Sequence, residues 1–146
     1  MDHTVTVEIA APRDLVWRTL MEIERWPEST ASMTSVAYVG TDRLALGARV
    51  RIKQPGTPPL IWEVTGFTPQ ESFTWRATSS GVSTVATHRL LAGPTDGTTL
   101  QLGLQQTGLL AGLIALLIGN RTRRYMGMEA EGIKRTSEAA RQTSPA

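Results

Sequence analysis

Residues 109–141 read LLAGLIALLIGNRTRRYMGMEAEGIKRTSEAAR, and what this stretch folds into decides the architecture of the whole chain. It holds no proline. It opens on the apolar run LLAGLIALLI, from Leu109 to Ile118, crosses a basic knot at Arg121, Arg123 and Arg124, and continues as a mixed segment to Arg141. Met126, Ile133 and Ala140 recur at a spacing that keeps them on one side of a helix, with Ile118, Tyr125 and Thr136 close to the same side. One long C-terminal helix is expected. Asn120 onward forms its packed part, and Gly112 and Gly119 allow a bend between that part and the apolar run.

Upstream of the helix the chain reads mainly as short strands. In residues 4–9, Val5, Val7 and Ile9 alternate with Thr4, Thr6 and Glu8, the period-two signal of a half-buried strand. Pro12 suits a first helical position, where its missing N–H would be unpaired anyway. Asp14 then sits where the helix dipole favours an anion. A helix from Pro12 to about Glu24 follows, stopped by Trp26-Pro27 because a residue before proline is pushed out of the helical region. A second short helix or turn is expected over residues 28–32. Strands are then expected over residues 35–40, 48–53, 60–67, 71–78, 82–92 and 98–107, separated by turn-rich segments such as Gly93-Pro94-Thr95-Asp96-Gly97. The class is α+β. About seven antiparallel strands form one sheet, and a twisted sheet wraps a helix and does not lie flat on it.

Composition narrows the function. A chain of 146 residues suits one domain. It has no cysteine and only two histidines, His3 and His88, so thiolate and histidine-cluster metal sites are excluded, and no metal or cofactor is expected. The net charge of +2 gives no nucleic-acid footprint. Neither common glycine-rich phosphate loop is present. The N-terminus enters a strand pattern with no signal-peptide character, so a cytoplasmic location is expected. The run from Leu109 to Ile118 is shorter than the roughly 20 residues a membrane-spanning helix needs.

Three sets of residues then carry a resemblance. They are VEIAAPRDLVWRTLMEIERWPEST at residues 7–30, the tryptophan strand around Trp75 with the Asp-Gly-Thr-Thr turn after Thr95, and the helix end EAEGIKR at residues 129–135. Together they resemble the START-like, polyketide cyclase/dehydrase superfamily (SRPBCC), whose helix-grip fold is shared with the major birch pollen allergen. The resemblance spans nearly the whole chain, giving a single START-like domain over residues 1–141 and a frayed tail over residues 142–146. It implies two short helices after the first strand and an internal pocket between sheet and long helix, used across the superfamily for lipids, sterols, polyketides and hormones. Two departures stand out: Glu28-Ser29-Thr30 follows Trp26-Pro27 where many relatives place another aromatic, and the run LLAGLIALLI is unusually apolar.

The candidate ligand-binding residues are Trp62, Phe73, Trp75, His88, Leu90, Leu102, Tyr125, Met126 and Ile133. Ligand sites are mostly apolar with a few placed polar groups. His88 lies in phase with Val82, Ala86 and Leu90 on the inward face of its strand, and imidazole is suited to proton transfer near neutral pH. No local spacing fixes a carboxylate or serine beside it. The first functional expectation is a small hydrophobic molecule held in the pocket. The second is a polyketide cyclase, aromatase or dehydratase using His88 as general base. The third is a protein that touches a membrane surface through the apolar run, with the adjacent arginines on anionic lipid. Gly108 and Gly112 also make that run a candidate homodimer contact, and the run reads as a lid or lip of the pocket.

Overall fold

The computed structural model describes residues 2–79 and 81–143. Strand β1 (Asp2–Ile9) leads into helix α1 (Arg13–Met21) and a 3₁₀ helix (Ile23–Glu28), then strands β2 (Ser35–Tyr38), β3 (Arg49–Lys53), β4 (Leu60–Thr68), β5 (Ser72–Ser79), β6 (Val82–Ala92) and β7 (Thr98–Thr107), and finally helix α2 (Ala111–Thr143). The seven strands form one antiparallel sheet in the order β1-β7-β6-β5-β4-β3-β2. The chain is thus the α+β helix-grip arrangement expected, with two short helices after the first strand and one long closing helix.

The strand periodicity becomes burial. Val50 and Ile52 of β3, Trp62 and Val64 of β4, and Phe73, Trp75 and Ala77 of β5 are all buried on the inner face, and so are Leu100 and Leu102 of β7. Met126, Ala130 and Ile133 of α2 close the core from the other side together with Val16 and Leu20 of α1. Gly132 lies against the 3₁₀ segment. A Cβ there would stand 2.7 Å from the Ser29 carbonyl oxygen, so only glycine lets the two backbones approach this closely.

The two α-helices end elsewhere than the sequence reading places them, and β2 stops at Tyr38, short of residue 40. Helix α1 ends at Met21, well before Trp26-Pro27. Glu22 leaves the helical region (φ −85, ψ 57), and the chain resumes as a 3₁₀ helix that contains Pro27. The break turns both Ile23 and Trp26 into the core, where Trp26 donates its indole N–H to the Thr19 carbonyl at 3.4 Å. Burial of those two side chains outweighs the helical propensity of the segment. At the other end α2 continues to Thr143, past the expected end at Arg141, with the Thr143 hydroxyl donating to the Ala139 and Ala140 carbonyls. Residues 144–146 of the expected tail lie outside the described residues. The helix also passes through Gly112 and Gly119 without interruption.

The last turns of α2 are pinned to the end of β1. Glu138 accepts a hydrogen bond from the Ala10 backbone N–H at 2.8 Å and one from Lys134 Nζ at 2.8 Å, while Lys134 also donates to the Glu8 carbonyl and Arg141 to that of Ala10. The Lys134 hydrogen bond first, then the Ala10 N–H, holds the Glu138 carboxyl below its ordinary value of 4.5. A carboxyl lowered on folding stabilises the fold above its unfolded pKa, and that contribution is lost as pH falls through the folded value. Glu138→Gln is therefore expected to lower the urea midpoint at neutral pH and to flatten its fall below about pH 4.5. An acid limb unchanged in the variant would show that the pin contributes nothing.

Candidate functional site

A cavity of about 120 Å³ lies between the inner face of the sheet and the middle of α2. Its origin can be read in the strand register. Trp75 of β5 stands opposite Ala86 of β6, and Ala86 stands opposite Leu104 of β7, so one inward position between a large ring and a leucine carries only a methyl group. The missing side-chain volume at Ala86 leaves the space. Trp62 from β4 and Met126 from α2 form further walls.

His88 follows Ala86 on the same inward face and also lines the cavity. Its register partners are Phe73 and Leu102. Its ring stacks on Phe73 with centroids 4.1 Å apart and planes 8° from parallel, and meets Trp75 edge-on at 5.3 Å and Trp26 at 5.6 Å. This aromatic cage fixes the imidazole plane. Only 2% of the residue is exposed, and Nδ1 has no hydrogen-bond partner among the described residues. Nε2 lies 3.7 Å from Oε1 of Glu129, which reaches in from α2 with 12% of its side chain exposed. That separation is longer than a hydrogen bond. It lies within the adjustment by which loose contacts in empty sites tighten around a substrate.

Five of the nine expected residues line this cavity: Trp62, Trp75, His88, Tyr125 and Met126. The other four do not. Phe73, Leu90, Leu102 and Ile133 are packed in the core, with Phe73 wholly enclosed behind His88. Inward phase identified the right face but not which part of it borders the space. Glu129 and Arg121 were not singled out from the sequence as site residues, and both line the cavity. Their signal was available in the helical spacing, since Arg121, Tyr125 and Glu129 lie at i, i+4 and i+8 on one face.

At the mouth, α2 meets the loop between β3 and β4. Tyr125 donates its hydroxyl to the Pro55 carbonyl at 3.1 Å, so the ring is tied to the rim and does not offer the free hydroxyl a ligand would use. The Arg121 guanidinium lies over Gly56, with Nη1 2.8 Å from where a Cβ would stand. Of the apolar run, only Ile118 lines the cavity. Leu109, Leu113, Leu116 and Leu117 are exposed, so the run does not cover the pocket as a lid does. No helix among the described residues is long and apolar enough to cross a membrane.

The sequence matches the family model described as polyketide cyclase / dehydrase and lipid transport over residues 2–138. The chain belongs to this family. Solved structures with the same fold agree with the match. A hypothetical protein of Helicobacter pylori is 16% identical, with a TM-score of 0.78 over 93% of this chain and 86% of its own. A Thermus thermophilus protein is also 16% identical, with a TM-score of 0.78 over 99% of this chain and 100% of its own. DynU16, described as a protein in the dynemicin biosynthetic locus, is 20% identical with a TM-score of 0.63, covering 89% of this chain and 46% of its own. At these identities the likeness is one of fold. Among curated proteins, none matches this chain significantly.

Proposed function

We propose that this member of the polyketide cyclase / dehydrase and lipid transport family binds a small, mostly apolar molecule in the cavity between its sheet and α2. The observation that carries this reading is the space beside Ala86, walled by Trp62, Trp75 and Met126, with a nearly inaccessible histidine on its wall whose Nδ1 has no hydrogen-bond partner among the described residues. Packed cores leave few voids and few buried polar groups without partners, and the two together at one place support a ligand site. The volume resembles the roughly 150 Å³ apolar cavity that accepts a benzene ring. It is smaller than the roughly 300–1,000 Å³ of sites for drug-sized ligands. The cavity therefore suits one ring or a short chain, and a larger ligand requires the Tyr125–Pro55 tie to open. Native mass spectrometry of the purified protein is expected to show a bound small molecule, and returning the extracted molecule to the emptied protein should raise its melting temperature. An extract that leaves the melting temperature unmoved would sink the reading.

A second reading, proton transfer on a carbonyl compound, is favoured by the contact the sequence could not supply. Glu129 stands beside His88 Nε2, where it can orient the ring, and Nδ1 is without a partner. A positioned acid or base is worth about 10²–10⁴-fold in rate. For an enolisable polyketide-like ketone, His88→Asn is expected to lose rate on that scale, with the loss falling on kcat more than on KM. Full turnover in that variant would rule His88 out as the base. Membrane or dimer contact through Leu109 to Ile118 rests only on the exposure of its leucines.

A further inference from the structure

The two ends of the cavity differ in charge. Arg121, Tyr125 and Glu129 all line it from one face of α2, so the space runs along about two turns of the helix, roughly 12 Å from the Arg121 backbone to that of Glu129 at about 1.5 Å per residue. At the inner end stand Glu129 and His88. The other polar side chains that line the cavity are Gln54, Thr57 and Thr122, all neutral. Arg121 is the cation among the lining residues, and it has no carboxylate partner among the described residues.

The placement of Arg121 is not that of a side chain extended into water. It is half-buried and folded across the Gly56 backbone, which has φ +79 and no side chain in the way. Among the described residues the arginine ion pairs are both those of Arg25, with Glu22 and Glu28, so what sets Arg121 apart is its half-buried place at the rim of the cavity. An unpaired guanidinium held at the rim of an apolar cavity is a fork of donors for a carboxylate, arranged before any ligand arrives.

We infer that the ligand of this cavity is an amphipathic carboxylic acid, its carboxylate held by Arg121 at the mouth and its apolar body laid between Trp62, Trp75 and Met126 toward His88. This rests on the reading of the cavity as a ligand site and adds the chemical class and the polarity of the bound molecule. Glu129 at the inner end enforces the orientation, since it repels an acid entering carboxylate first and accepts a hydroxyl or other donor at the far end.

The test uses a matched pair of probes, 3-phenylpropanoate and 3-phenylpropan-1-ol, titrated calorimetrically into the intact chain. The acid is expected to bind at least about ten-fold tighter than the alcohol, a difference of about 1.4 kcal/mol. Arg121→Gln should bring the acid down to the affinity of the alcohol. Arg121→Lys keeps the charge without the planar fork and should recover part of the preference, which separates loss of recognition from loss of fold. Arg124→Gln removes an exposed charge that does not line this cavity and should leave the preference intact. Equal binding of acid and alcohol by the unaltered protein overturns the carboxylate assignment while leaving the ligand site standing, as does a preference that survives Arg121→Gln. An Arg124→Gln effect as large as that of Arg121→Gln would reduce the preference to the general positive field of the helix and overturn the assignment too. If neither probe binds, the ligand-site reading falls with it.

Discussion

Phe73→Ala is expected to destabilise the protein by about 3–5 kcal/mol, the usual cost of removing a buried aromatic ring. Phe73 is wholly buried, and its ring stacks on His88 at 4.1 Å and meets Trp75 edge-on at 5.1 Å. Aromatic pairs of this geometry add about 0.5–1.5 kcal/mol beyond the area they bury. Since a domain of this kind has about 5–15 kcal/mol in total, the loss takes a third or more of the stability of an average example. The ring does not border the cavity, so the void its loss creates lies behind His88 and frees the imidazole plane. A urea unfolding series reads the result. A loss under about 1 kcal/mol would mean that the core collapses around the gap and that the stack contributes little. Ser72→Ala on the neighbouring position, half-exposed and opposite Arg89, serves as the reference and should stay within about 0.5 kcal/mol.

The parts of the fold that were legible are those encoded in local periodicity. The alternation in residues 82–92 placed Ala86, His88 and Leu90 on one face, and burial confirms that face. The end of α1 was not legible, because Trp26-Pro27 is a strong stop signal while the actual break at Glu22 is set by where Ile23 and Trp26 must go in the core. Tertiary packing overrode a local rule there. The site divides the same way. His88 was visible from phase, but its neighbour Glu129 comes from a helix far along the chain, and only the docking of α2 on the sheet brings the two together. Arg121 read from sequence only as part of a basic knot with Arg123 and Arg124, and the glycine that receives it sits in a loop whose path no periodicity describes. The cavity was foreseen from the helix-in-sheet arrangement and the family resemblance but not from any local pattern, since a space is defined by what several strands jointly fail to fill.

The sharpest test of function is the substitution Ala86→Leu. If the inner face were an ordinary core, an isobutyl group in place of a methyl at a buried position would overpack it and cost about 1–3 kcal/mol. If the space between Trp75 and Leu104 is a kept vacancy, the new side chain fills it, and filling a void commonly gains about 0.5–2 kcal/mol. The two cases differ in sign, so the melting temperature alone separates them. The expected result is a protein as stable as the original or more so, which has lost the ability to take up whatever copurifies with the unaltered chain. The loss of binding should exceed about 100-fold, because a leucine at that position would occupy the volume proposed for the ligand body between the two tryptophans. Stability and binding moving in opposite directions is the signature of a site where selection for a ligand keeps the core underpacked. A variant that binds as before, or that loses stability on the overpacking scale, would show that the space beside Ala86 is not where this protein does its work.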